Sequence, residues 1–157
     1  MGLMDKLKNV KSSLTGDWAV VTVDASPVAR GGTLAAKTEV TVKSQEISIE
    51  GIVIEVRCHE YIDIPDAIVW EDSGASTISG TRRAQGEADV VTKEVRVSGP
   101  TTLAAGSSST YSGELQIPTN APPTMHGRHA RYEWEVRARV EMKGNDPDSG
   151  WKSLQVD

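Results

Sequence analysis

The chain has 157 residues, a formal net charge of −5 and 25% charged residues, so it reads as one domain able to bury its own core. Its acidic balance without a basic block argues against a nucleic-acid surface. The single cysteine, Cys58, excludes an internal disulfide and a multi-cysteine zinc site. No apolar run approaches the 18–20 residues of a helical membrane span, and the N-terminus has no signal-peptide pattern. The sequence expectation is therefore a cytoplasmic protein. With no Phe among its aromatics, the core must rest on Val, Ile, Leu and Ala.

Residues 1–16 predict a short amphipathic helix. Leu3, Leu7, Val10 and Leu14 recur at spacings of three and four, and Gly16 stands where a C-cap belongs. A helix this short must pack on something. Its own domain, a partner protein and a peripheral contact with a membrane surface all remain open.

From Trp18 the apolar period becomes two. Trp18–Asp24 predicts a strand, Ser26–Gly32 a turn, and Leu34–Val42 a second strand. Residues 45–62 give the longest β signal, and its apolar parity slips by one near Gly51, as at a β-bulge. Residues 63–89 carry Asp63, Asp66, Glu71 and Asp72, then a Ser/Gly/Thr-rich tract, and predict a long hairpin or crossing loop. Ala67–Trp70 suggests a short strand inside it. Strand signals resume at Val90–Val97 and Thr110–Ile117, followed by a turn-rich tract at 118–130. The clearest strand comes next. Tyr132, Trp134, Val136, Ala138, Val140 and Met142 alternate with Arg131, Glu133, Glu135, Arg137, Arg139, Glu141 and Lys143. One face is expected in a core and the other in water. Trp151–Val156 closes the chain as a last strand. At least seven β segments without intervening helices predict an all-β, antiparallel, immunoglobulin-like sandwich over residues 17–157.

Several stretches of the second half carry a resemblance. Leu103-Ala-Ala-Gly106, Tyr111-Ser-Gly-Glu-Leu115-Gln-Ile117-Pro118, Ala121-Pro122-Pro123-Thr124 and Tyr132-Glu-Trp134-Glu-Val136-Arg-Ala138 are similar to the arrestin-like superfamily. There a glycine precedes a strand ending in proline, a Pro-Pro-Ser/Thr loop follows, and a Tyr-x-Val-x-Ala strand comes after it. Arg30-Gly31-Gly32 and Ile49-Glu50-Gly51-Ile52 are compatible with its earlier turn and third strand. Trp134 departs from the usual Val, and the chain has length for one of the two sandwiches of an arrestin. Arrestin N-domains, bacterial sporulation-control proteins and retromer cargo-adaptor subunits share this fold. The resemblance implies an arrestin-like sandwich with a binding role and no named partner.

Catalytic and metal constellations are weak. His126-Gly-Arg-His129 offers two ligands where zinc needs three or four. Cys58 and His59 are adjacent strand residues whose side chains diverge, and Cys58 shares parity with buried Ile positions. The acidic groups at 63–72 and 146–148 lack the ligand spacing of a calcium loop. The expectation is a non-enzymatic protein-binding adaptor or scaffold with no cofactor and no metal. Its alternative is a self-assembling structural subunit using sheet edges and the N-terminal helix, that is, a homo-oligomer. A carbohydrate- or lipid-binding sandwich would need an exposed Trp in a cleft, for which Trp70 is the candidate. The loops at 63–89 and 118–130 are the expected contact regions. The candidate partner-binding residues are Leu3, Leu7, Val10, Leu14, Trp70, Pro122, Pro123, His126 and His129.

Overall fold

The alternation of apolar and polar residues along β1 (Ala19–Ala25) and β2 (Thr33–Val42) places one side of each strand against a core and the other in solvent. These strands belong to a computed structural model that describes residues 18–72, 74, 77–144 and 146–157. The expected N-terminal helix, with Leu3, Leu7, Val10 and Leu14, lies outside the described residues. Among the described residues there is no helix.

Two antiparallel sheets form the body. The smaller has the order β1-β2-β7, with β7 at Ser108–Gln116. The larger has the order β10-β9-β4-β5, built from β4 (Gly51–Asp72), β5 (Thr77–Ser98), β9 (Ala130–Glu141) and β10 (Lys152–Leu154). The short β8 (Met125–His126) pairs with β9 at its N-terminal end. A separate two-stranded ribbon joins β3 (Ile47–Ile49) to β6 (Thr101–Leu103).

The core lies between the inward faces. Leu34, Ala36, Val40 and Val42 of β2 meet Ile52, Ile54, Val56 and Cys58 of β4 and Trp134, Val136, Ala138 and Val140 of β9 within one cluster. Each fully buried Val, Leu or Ile contributes roughly 1.5–3 kcal/mol relative to exposure. Among the described residues the one buried polar side chain, Thr38, donates its hydroxyl to the carbonyl of Thr22 at 2.8 Å, so its burial costs no hydrogen bond. A row of small residues, Ala25–Ala36–Gly113, crosses the smaller sheet. It admits β5: a Cβ on Gly113 would stand 2.7 Å from a methyl of Val97 and 2.9 Å from one of Val95.

The parity slip near Gly51 has a different cause from the single-strand bulge expected. The strand expected over 45–62 divides at Glu50, where the chain leaves the β3–β6 ribbon and enters the larger sheet. A Cβ at Gly51 would displace the flexible end of Arg96 and stand only 3.0 Å from the Ser98 carbonyl, a close backbone approach that favours glycine. The bulge belongs to β5, because Ile52 faces Ser98 and Val53 faces Arg96, leaving Val97 out of register. The final strand is shorter than Trp151–Val156. Its end turns to form a parallel bridge from Val156 to Val28.

A protruding arm and its base

Of the two readings open for residues 63–89, the long hairpin is the one found. These residues are strand throughout most of their length, because β4 and β5 continue as one hairpin out to Asp72 and Thr77. The third strand stops earlier. β9 pairs with β4 from Gly51 opposite Glu141 to Ile62 opposite Ala130, and the last bond runs from the Asp63 amide to the His129 carbonyl at 2.8 Å. There the chain of β9 reverses through a turn closed by the Gly127 amide on the Ala130 carbonyl. On β4, Pro65 has no N–H to offer a neighbour, and the register with β5 shifts between Ile64 and Ala67. Beyond Ile62 the sheet is therefore a two-stranded arm.

The arm is fixed at its base by charge and rings. The Arg83 guanidinium donates twice to the Asp63 carboxylate, at 2.8 and 2.6 Å. That guanidinium holds the Asp63 carboxyl below its usual range, chiefly through the hydrogen bond. His129 donates from Nδ1 to the Asp63 carbonyl at 3.2 Å. Arg131 lies over the Tyr61 ring at 4.2 Å, and His59 packs against the same ring. Tyr132 donates its hydroxyl to Glu60 at 2.7 Å, and this carboxylate raises the phenol's pKa.

Past the base the arm exposes apolar side chains. Trp70 is 70% exposed, Ile68 is 68% exposed and Ile64 is 37% exposed. Ile68 stands opposite Thr81 and Trp70 opposite Ser79, so both apolar residues share one face of the hairpin. An isolated two-stranded hairpin is marginal in water. Among the described residues, this one leaves Ile68 and Trp70 exposed.

The charged face of β9 is not simply solvated, as its alternation suggested. Arg137 and Arg139 converge on Glu55 of β4 at 2.7–3.0 Å, and Arg57 pairs with Glu135 at 2.8 Å. Glu141 accepts from Arg96 at 2.6 Å and from Arg139 at 2.9 Å, and both guanidiniums depress its pKa. The Trp151 ring lies between Arg57 and Arg137, 4.2 and 4.5 Å from them. The ladder is half-buried because neighbouring strands and Trp151 crowd each side chain. A groove of about 250 Å³ beside Trp151 is lined by Glu55, Arg57, Asp89, Lys93 and Glu94. The carboxylates Glu55 and Asp89 that line it already answer arginines.

The sequence candidates fall into separate places. Trp70 is on the arm and His129 is at its base. Pro122 and Pro123 are half-buried, and the Pro122 carbonyl accepts the indole N–H of Trp134 at 2.8 Å. Thr124 next to them is bonded in both directions to Val156. This part of the 118–130 tract thus forms a roof over Trp134. His126 is exposed on β8, opposite Arg131, beside a cleft of about 440 Å³ that also touches Glu133, Ser153 and Gln155. Sequence reasoning did not single out Ile64 and Ile68, although Ile68-x-Trp70 is legible as an apolar strand face. Cys58 is buried, and burial, then Glu60 and Asp89, push its thiol up to about 11. A thiol in that state is no nucleophile near neutral pH.

Two open antiparallel sheets packed face to face form an all-β sandwich, an arrangement consistent with the arrestin-like fold. The particular likeness is to the crystal structure of Spo0M, the sporulation control protein of Bacillus subtilis, with a TM-score of 0.60 and 16% identity. The match covers 88% of this chain and 49% of that one, so the chain spans about half the length of its structural relative. At this identity the likeness is one of fold. No protein-family model matches the sequence, and no curated protein does.

Proposed function

We propose that the chain is a non-enzymatic, protein-binding adaptor of arrestin-like type, and that the β4–β5 arm is where it meets its partner. The observation that carries this reading is the arm itself. A hairpin continues past the end of β9 with Trp70 and Ile68 exposed on one face. Exposed Trp is among the residue types that dominate protein–protein contacts. The charged ladder and the Pro122–Thr124 roof serve the fold, which leaves the arm as the better docking element.

Self-assembly through sheet edges is the weaker reading. The outer edge of β5 is interrupted where Val90 and Val97 fall out of register and is lined with Glu87, Asp89, Lys93 and Glu94. Bulges and charges of this kind discourage edge-to-edge pairing. Lys152 reaches the Val23 carbonyl and the Asp24 carboxylate at the end of β1, covering part of that edge.

The test is affinity capture from host lysate with quantitative mass spectrometry, comparing the full chain with its Ile68→Ser/Trp70→Ser variant. Both positions are exposed, so the variant should fold normally. A protein enriched by the full chain and lost with the variant is the expected result. An unchanged set of captured proteins would move the contact away from the arm.

A further inference from the structure

The two open sides of the sandwich are finished differently. On the β1 side the inward residues Ala19, Val21 and Val23 are buried, and Lys152 reaches the Val23 carbonyl across the edge. On the opposite side β7 packs on β5 through Gly113, yet the seam between them stays open. Its inward residues are only half-buried: Ser109, Tyr111 and Gly113 of β7, and Val91, Val95 and Val97 of β5. The outer edge of β7 carries none of the usual devices that protect an edge. It holds no Pro or Lys, and its register with β2 runs unbroken from Thr41 opposite Ser108 to Thr33 opposite Gln116. The β4 edge on the arm is also unbroken from Ala67, but Ile68 and Trp70 beside it lie outside the core cluster. Only the β7 edge borders half-covered core.

Two unanswered charges flank this seam. Lys93 of β5 stands opposite Val56 in register, between Val91 and Val95, so its side chain leaves the strand on the core side. It is exposed, and lies about 7 Å along the strand from Val95. Glu114 of β7 alternates with Gly113 and Leu115 and leaves its strand on the solvent side. Among the described residues neither side chain enters an ion pair or hydrogen bond. A strand added to β7 would lie about 4.8 Å beyond it. One row of its side chains would cover the Val91–Val97 seam, and the other would continue the solvent face. Such a strand answers both charges with an acid in the core-side row and a base in the solvent-side row.

We infer that the outer edge of β7 takes an extended segment of a partner protein as a further strand of the smaller sheet. That segment is apolar on its core-side row except for an acidic residue facing Lys93, and carries a basic residue on the other row beside Glu114. Backbone hydrogen bonds provide the pairing, and the two rows the selectivity. The surface belongs to the other sheet from the arm and goes beyond the docking reading above.

The probe is a fluorescein-labelled short peptide of alternating Val and Thr, with Glu replacing one Val and Lys replacing one Thr, read by anisotropy against the full chain. A control of the same composition places Lys in the Val row and Glu in the Thr row. A second control is the probe N-methylated through its central residues. The probe should bind saturably, about tenfold or more tighter than either control, and should shift the amide resonances of β7. Lys93→Glu/Glu114→Lys changes two exposed residues and should reverse the preference between the probe and its swapped control. Ile68→Ser/Trp70→Ser should leave probe binding unchanged. Equal binding of the swapped peptide, or no reversal in the charge-exchanged variant, would overturn the charge assignment. Binding that survives N-methylation, shifts amides away from β7, or disappears with the arm substitutions would overturn strand addition here. No binding, with self-association in sedimentation that the charge exchange abolishes, would assign the edge to a second copy. No binding without self-association also overturns the inference.

Discussion

Trp134 is the largest side chain wholly removed from water, and its indole N–H reaches the Pro122 carbonyl. Trp134→Ala should cost about 3–5 kcal/mol in denaturant unfolding. Trp134→Phe keeps most of the volume but leaves that carbonyl without its donor, and should cost about 1–3 kcal/mol. Near-wild-type stability of Trp134→Ala would contradict its place in the core. Its burial was legible from strict alternation along 131–143. The role of Pro122 was not, because it depends on a hydrogen bond between segments that local pattern does not connect. Cys58 is the second case. Its folded pKa is raised, so the protonated thiol is the native form, and its contribution is complete below the unfolded value near 9. Stability should fall as pH rises from about 9 through 11, and Cys58→Ala or Cys58→Val should remove that part of the alkaline decline in thermal melts. A thiol reagent at pH 7.5 should label Cys58 only on unfolding; rapid labelling of the native chain would contradict its burial.

At the scale of elements, the arm was the least legible part of the sequence. Its Ser, Gly and Thr content left a long hairpin and a crossing loop both open, since strand patterns are read from burial and this hairpin buries little. What holds it is register with a long parent strand, the Asp63–Arg83 pair and the rings at its base. The Asp63 carboxyl is held below its ordinary value, so its stabilising contribution is present above about pH 4 and lost as pH falls through the lowered value. Arm amides should then exchange faster in acid while core amides of β2 and β9 do not. Asp63→Asn should loosen the arm already at neutral pH and flatten this dependence. Hydrogen exchange read by NMR distinguishes the outcomes, and unchanged arm protection in Asp63→Asn would show that the ion pair does not anchor it.

For the molecule as a whole, the layering was legible and the sheet assignment was not. Alternation revealed the inward faces of β1, β2 and β9, but the same alternation fits either sheet, so the crossing at Glu50–Gly51 read as a bulge. The packing of β5 on β7 depends on Gly113, whose missing side chain is filled by Val95 and Val97. Gly113→Val should cost about 1–3 kcal/mol through overpacking, measured by chemical denaturation. A neutral effect would mean that the two sheets are free to part there.

Among the described residues the sandwich thus leaves the hairpin's Ile68 and Trp70 exposed, and a partner protein is proposed to cover them. The most direct measurement is photo-crosslinking in the host with a benzophenone amino acid at position 70, beside a control at position 20. Val20 is also exposed, at 50%, but lies on β1 away from the arm. A docking arm predicts a discrete crosslinked product of higher mass at position 70 and none at position 20. Equal crosslinking at both positions, or none at position 70, would contradict it.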